Sequence, residues 1–350
     1  MRIAQVAPLY ESVPPKLYGG TERVVSYLTE ELVKMGHDVT LFASGDSQTK
    51  ARLIPISPQA LRLDPNCKDP ICYHLVMFEE VIKRAQFFDI IHFHTEYLHL
   101  PLASRQNTPF LTTLHGRLDL PEYIPLFKKF KNYPFVSISN SQRKPLPWLN
   151  WQATVYHGLP EDLYSFYPEK GKYLAFLGRI SPEKRPDRAI KIAEKAGIPL
   201  LIAAKVDKVD ETYFKEVIKP LLKSPLVEYI GEIGEKEKNE FLGGAYALLF
   251  PIDWPEPFGL VMIEALACGT PVIAWNCGSV PEVIEHGKTG FIVNSLEEAV
   301  KAVEKVEEID RKICRRTFEE RFTAKKMAEN YVKVYQQILK KESELLLEAV

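Results

Sequence analysis

Two acids, Glu256 and Glu264, close off the run Glu256-Pro257-Phe258-Gly259-Leu260-Val261-Met262-Ile263-Glu264, and their spacing limits the chemistry they can do. Pro257 and Gly259 mark a turn, and Leu260, Ile263 and Leu266 open the apolar face of a helix. Over a continuous helix, at ~1.5 Å per residue, the two acids would stand ~12 Å apart. The carboxyls of a glycosidase pair lie only about 5–9.5 Å apart. The spacing suits instead two hydroxyl-rich groups with something anionic between them. A helix start lies between the acids, and its free N–H groups and positive dipole end favour phosphate. The run therefore reads as a grip on a sugar, then a diphosphate, then a ribose.

Cations come from elsewhere. Gly178-Arg179-Ile180-Ser181-Pro182-Glu183-Lys184 follows the strand pattern Tyr173–Leu177, and doubly wound sheets bind ligands beyond the C-terminal ends of their strands. Arg179 and Lys184 could neutralise a diphosphate there. Tyr18-Gly19-Gly20-Thr21-Glu22 opens a helix after the first strand. It reads either as a flexible turn with Thr21 as N-cap or as a close backbone approach to a phosphate or acceptor. It is not a GxGxxG fingerprint, so no nicotinamide cofactor is implied. Thr112-Thr113-Leu114-His115-Gly116 ends another strand and puts His115 at a ligand-facing edge. His92 and His94 end a neighbouring strand with Glu96 beyond, and lining a cleft suits them better than holding a metal.

The elements that must position these residues alternate. In the first half, strands are expected at Ile3–Ala7, Asp38–Ala43, Asp89–His94, Phe110–Leu114, Phe135–Ser139 and Thr154–Tyr156, with helices at Glu22–Lys34 and Leu75–Arg84. Residues 47–75 show several prolines and no period. The pattern restarts after His157-Gly158-Leu159-Pro160. Strands follow at Tyr173–Leu177, Leu200–Ala204, Val227–Ile230, Ala247–Phe250 and Val272–Ala274, and helices at Pro186–Ala196, Tyr213–Leu222 and Lys236–Gly243. Such alternation argues for parallel sheets covered on both faces. The tail from Ser295 is helical, with Phe318, Phe322, Met327, Tyr331, Val334, Tyr335 and Ile338 at helical spacings.

Length and composition agree. The 350 residues suit two domains, and 46% hydrophobic with 26% charged content affords a sizeable core. A formal net charge of −1 argues against nucleic acid as a partner. Five cysteines without paired CxxC spacing argue against zinc or a disulfide framework, and a cytoplasmic setting is the default. No apolar run reaches transmembrane length. Leu126-Phe127-Lys128-Lys129-Phe130-Lys131 reads as a solvated helix with a core face and is also compatible with peripheral contact at an inner membrane surface.

From Glu264 the chain runs on through Ala265-Leu266-Ala267-Cys268-Gly269-Thr270-Pro271-Val272-Ile273-Ala274, then Gly278-Ser279-Val280-Pro281-Glu282-Val283-Ile284 and Gly287-Lys288-Thr289-Gly290-Phe291. Here it resembles the retaining glycosyltransferases of family 4 (glycosyl transferases group 1). Their pattern is E-x7-E, a Gly-x-Pro-Val strand and a Glu-containing loop, and related spacing recurs along nearly the whole chain. The resemblance implies an α/β, GT-B fold of two Rossmann-like doubly wound domains facing a cleft. Residues 1–160 would form the acceptor-side domain and 161–325 the nucleotide-sugar donor domain. Residues 326–350 would form a helix returning to the first domain.

The resemblance also distributes roles. Arg179 and Lys184 would hold the donor diphosphate, with amides around Phe258, Gly259 and Leu260. Glu256 would bind the sugar hydroxyls and Glu264 the ribose. Gly19 and Gly20 would face the donor, and His115 would stand beside the reacting sugar. Glu232 and Ile233 would meet the nucleobase, and Glu282 is compatible with donor contact. Loop position puts Glu11, Tyr18, His94, Arg117 and Asp119 on the acceptor side. The expected activity is retaining transfer from a nucleoside diphosphate sugar, a UDP-sugar foremost, to a hydroxyl of a carbohydrate, lipid or small molecule. No cofactor or metal is expected, and no side chain is assigned as a nucleophile. The rivals are a nucleotide-sugar 2-epimerase of the same fold and a non-catalytic nucleotide-sugar-binding protein.

Overall fold

A computed structural model describes residues 1–16 and 19–348, with side chains through 344. The chain divides into two compact units: Met1–Pro160 together with the tail from Ala324, and Glu161–Thr323.

Seven strands form the sheet of the first unit: β1 (Arg2–Val6), β2 (Asp38–Ala43), β3 (Arg52–Pro55), β4 (Ile90–Phe93), β5 (Phe110–Thr113), β6 (Phe135–Ser137) and β7 (Trp151–Thr154). Their order is β3-β2-β1-β4-β5-β6-β7, and every pairing is parallel. Strands covered on both faces read as unbroken apolar runs, because each face needs a hydrophobic partner. On one side Ala4, Val6, Phe42, Ile91 and Phe93 pack with Met77, Phe78 and Val81 of the helix Pro70–Arg84. On the other, Ala7, Leu41 and Ala43 pack with Val25 of the helix Gly20–Lys34.

The second unit has six strands: β8 (Tyr173–Arg179), β9 (Leu200–Lys205), β10 (Val227–Gly231), β11 (Ala245–Phe250), β12 (Val272–Trp275) and β13 (Gly290–Val293). The order is β10-β9-β8-β11-β12-β13, again parallel throughout. Each sheet reverses its strand order beside its first strand, the switch point at which doubly wound folds bind ligands.

The elements depart from expectation in four places, one of them the seventh strand, which runs over Trp151–Thr154 and not Thr154–Tyr156. Residues 47–75 are not wholly irregular: β3 adds a four-residue edge strand, and the following helix starts at Pro70, where Asp69 accepts from the Ile71 N–H at 3.0 Å. A short, half-exposed strand ending in proline leaves no alternating pattern to read. The helical stretch Glu211–Leu221 carries a π-helical segment at Phe214–Ile218. β13 completes the second sheet where sequence offered only a glycine-bounded motif.

The last helix, Ala324–Glu348, belongs to the first unit and packs against Gly20–Lys34. Tyr331 and Tyr335 are fully buried there. Among the described residues no helix is long and apolar enough to cross a membrane. In the helix Tyr123–Lys129, Phe127 is buried in the core while Lys128 and Lys129 are exposed.

Candidate active site

In the second unit, the C-terminal end of β8 and the loops beyond it gather the charged residues. Arg179 ends β8 opposite Lys205 of β9. Its guanidinium faces three acids: Asp210 at 3.3 Å, Glu183 at 3.4 Å and Asp207 at 3.7 Å. Burial pushes the Asp210 carboxyl above its usual range, with Arg179 pulling the other way. Arg185 adopts a left-handed φ of 54° just before Pro186. Its fork is held by Asp187 at 2.8 Å and Asp253 at 2.8 Å, and the Asp187 bond raises its already high pKa. The Asp253 N–H donates to the Glu183 carbonyl at 2.8 Å and ties the loop after β8 to the loop after β11.

That tie brings Lys184 to Glu256. The ammonium pairs with the Glu256 carboxylate and lies over the rings of Trp254 (5.2 Å) and Phe250 (5.7 Å). The Trp254 indole N–H donates to the same carboxylate at 2.9 Å. Glu256 is backed by the loop after β12: Ser279 donates its N–H to the Glu256 carbonyl at 3.0 Å and its hydroxyl to the Phe258 carbonyl at 2.6 Å. Gly278, at φ 57°, passes so close that a Cβ there would collide with the Glu256 backbone nitrogen and oxygen.

Phe258 is buried, and Gly259 sits at φ 82°, a left-handed conformation that glycine adopts without strain. This starts the helix Leu260–Ala267 sharply, with the Met262 N–H donating back to the Gly259 carbonyl at 3.0 Å. Only the residues from Leu260 are helical, so Glu256 lies outside the helix and the premise of one continuous helix between the two acids does not hold. Glu264 is buried within the helix, and its carboxylate meets Lys238 at 3.2 Å. Ile233 is half-buried after β10, beyond exposed Glu232, where Gly231 takes φ 80°. Glu282 lies in the short helix Val280–Val283.

In the first unit, His115 follows β5 and His94 follows β4. His115 Nε2 meets His94 Nδ1 at 2.9 Å, and His94 Nε2 meets Gln5 Oε1 at 2.8 Å. The His115 ring stacks on His157 at 5.3 Å. Burial pushes His115 down to about 3, so its ring is neutral. Glu96 holds the loop: one carboxylate oxygen accepts the N–H groups of His115 (2.8 Å) and Gly116 (3.0 Å). Burial lifts Glu96 to about 7, against those two bonds, and its own φ is 52°. His92 spends both ring nitrogens on Tyr335 (2.8 Å) and Thr113 (2.7 Å).

The other first-unit residues have partners of their own. Arg117 and Asp119 form a two-point pair at 2.7 and 2.9 Å, which holds the Asp119 carboxyl below its usual range. Glu11 binds Arg62 at 2.8 Å. Gly19 precedes the helix starting at Gly20, and a Cβ on it would stand 2.8 Å from the Pro15 Cβ, so close packing alone requires glycine there. Tyr18 lies outside the described residues.

Sequence reading missed Gln5, Lys238, Trp254, Asp207 and Asp210. Gln5 carried a signal: an amide inside the apolar strand Ile3–Val6 needs partners when buried. The two aspartates carried none, since they reach Arg179 only through the pairing of β8 with β9.

Two doubly wound parallel sheets in one chain, with polar clusters beyond their C-terminal strand ends, are the architecture of the GT-B class. A profile for the glycosyl transferases group 1 matches residues 165–322, and one for Glycosyltransferase Family 4 matches residues 18–179. The chain belongs to this family of glycosyltransferases. Spore coat protein SA of Bacillus subtilis is 23% identical, the match covering 96% of this chain and 99% of that protein. The sucrose-phosphate synthase of Thermosynechococcus elongatus superposes with a TM-score of 0.78 at 20% identity, over 97% of this chain and 100% of its own. Anabaena HepE, solved with UDP-glucose, superposes at 0.68 with 17% identity, over 98% and 100%. At these identities the structural likeness carries the fold.

Proposed function

We propose that this glycosyltransferase moves a sugar from a nucleoside diphosphate donor, a UDP-sugar foremost, to an acceptor hydroxyl with retained anomeric configuration. The observation that carries the reading is the placing of Lys184 and Glu256 together beside the start of the helix Leu260–Ala267. A cation, a carboxylate and a helix N-terminus suit a diphosphate joined to a sugar. HepE, a structural neighbour solved with UDP-glucose, supports a uridine nucleotide.

In the transfer, the bond from the anomeric carbon to the diphosphate oxygen breaks and its electron pair leaves with the nucleoside diphosphate. The acceptor hydroxyl attacks the same face through an oxocarbenium-like state, and its proton passes to the departing diphosphate. Lys184 and Arg179 stabilise the charge gathering on the leaving group. Glu256 holds donor sugar hydroxyls, Glu264 the ribose, and His115 a sugar hydroxyl.

A panel of nucleotide sugars read by thermal shift, followed by product analysis with carbohydrate and lipid acceptors, tests the proposal. Nucleoside diphosphate release that depends on acceptor is expected. Acceptor-independent conversion of the donor would indicate an epimerase. Stabilisation by donor without release would indicate a binding protein. Either result defeats the proposal.

A further inference from the structure

Seven side chains of the first unit form one unbroken hydrogen-bonded chain. It runs from His115 Nε2 to His94 Nδ1 (2.9 Å), from His94 Nε2 to Gln5 Oε1 (2.8 Å), and from Gln5 Nε2 to the Tyr335 hydroxyl (3.1 Å). It continues from Tyr335 to His92 Nδ1 (2.8 Å), from His92 Nε2 to Thr113 Oγ1 (2.7 Å), and on to the Tyr331 hydroxyl (3.0 Å). At the other end, His115 Nδ1 is buried with no partner among the described residues.

Burial drives His92, His94 and His115 well below the usual imidazole range, so each ring is neutral at pH 7. A neutral imidazole has one N–H and one lone pair. The Gln5 carbonyl faces His94, which must then carry its proton on Nε2 and accept on Nδ1. His115 donates from Nε2 and is left with a lone pair on Nδ1. On the far side the Gln5 amide donates to Tyr335, Tyr335 to His92 Nδ1, and His92 Nε2 to Thr113. Turning the Gln5 amide over reverses every one of these bonds and leaves His115 with an N–H on Nδ1. Mixed orders leave a buried group unmet, which folded proteins seldom tolerate. A lone pair without a partner is tolerated better than an N–H, which favours the order with the Gln5 carbonyl toward His94.

We infer that Gln5, acting through His94, fixes His115 as the Nε2-protonated tautomer and makes its Nδ1 an acceptor for a ligand hydroxyl. Gln5 is a positioning residue, since it acts on the ligand only through two rings. The ligand half of this inference rests on the proposed sugar transfer; the proton order does not.

The test is 15N-histidine NMR of the full chain, with His115 assigned by His115→Gln. In the wild type, His115 Nδ1 should resonate as a pyridine-type nitrogen and Nε2 as a pyrrole-type one. UDP-glucose, and not UDP alone, should move the Nδ1 resonance. Gln5→Leu removes the acceptor that fixes His94, and both His115 tautomers should then appear. Tyr335→Phe removes one oxygen, frees the amide to turn, and gives a second reading should Gln5→Leu fold poorly. In either variant kcat/KM should fall about two- to fivefold, by the fraction of His115 left in the competent tautomer, mostly through KM. A pyrrole-type Nδ1 in the wild type, or unchanged tautomers in both variants, would overturn the inference. An Nδ1 indifferent to UDP-glucose would overturn its ligand half. Expected tautomers in a protein that transfers sugar from no donor would defeat the proposed function and leave the proton order standing.

Discussion

Acid should unfold the first unit early and steeply. Burial holds five of its histidines neutral: His99 and His115 at about 3, and His92, His94 and His157 well below the ordinary value of 6.5. A lowered histidine pKa means that the unfolded chain binds protons the fold refuses. Their stabilising contribution is whole above 6.5 and is lost as the pH falls below it. Glu22 and Glu96 work in the opposite sense. Burial raises both from 4.5 to about 7, so the fold keeps protons that the unfolded chain releases, and their contribution grows as the pH falls through 7. Near pH 5.5 these five histidines and two glutamates together take up about three protons net on unfolding. At about 1.4 kcal/mol per proton and pH unit, stability changes by roughly 4 kcal/mol per unit there, and by about 5 kcal/mol between pH 7 and pH 5. The whole stability of a domain is about 5–15 kcal/mol. Urea unfolding at half-unit pH steps measures it. Trp148 and Trp151 report this unit once Trp254 and Trp275 are replaced by Phe. A stability constant to within about 1 kcal/mol from pH 7 to pH 5 would mean that these rings are not held neutral, and the reasoning would fail.

Other outcomes follow from the second unit. Lys184→Ala should lower turnover about 10²–10³-fold with unchanged thermal stability, checked by initial rates at saturating donor; near wild-type turnover removes Lys184 from the leaving-group role. Glu264→Ala should raise the donor KM while turnover stays near normal, and a loss confined to turnover would contradict ribose binding. Gly278→Ala must displace the Glu256 backbone and adopt a left-handed φ. Its circular dichroism should stay native while kcat/KM falls at least tenfold, about 1.4 kcal/mol or more. Full activity would show that Glu256 tolerates movement.

The fold was legible because apolar runs of four to six residues alternated with amphipathic helices in both halves. Where that alternation failed, so did the reading. β3 is short and half-exposed, and β13 has only three apolar residues, Phe291–Val293, behind a glycine. The charged residues Arg179, Lys184, Glu256 and Glu264 were visible as types at a spacing. Their present partners were not, because Asp207, Asp210 and Lys238 reach them through strand pairing and loop closure, not through neighbouring sequence. The histidines were visible singly. Their linkage was hidden, since Gln5, His94 and Tyr335 meet only when β1, β4 and the last helix come together.

The return of the helix Ala324–Glu348 to the first unit bears on how the chain is made. Tyr331 and Tyr335 fill fully buried positions beside β1, β4 and β5. A ribosome therefore delivers the first unit's sheet long before the piece that closes its core, and domains that are contiguous in sequence escape this wait. The second unit, Glu161–Thr323, is complete when it emerges. The half begun first is finished last, and a stalled or truncated product lacking the final helix would carry an open core into the cell.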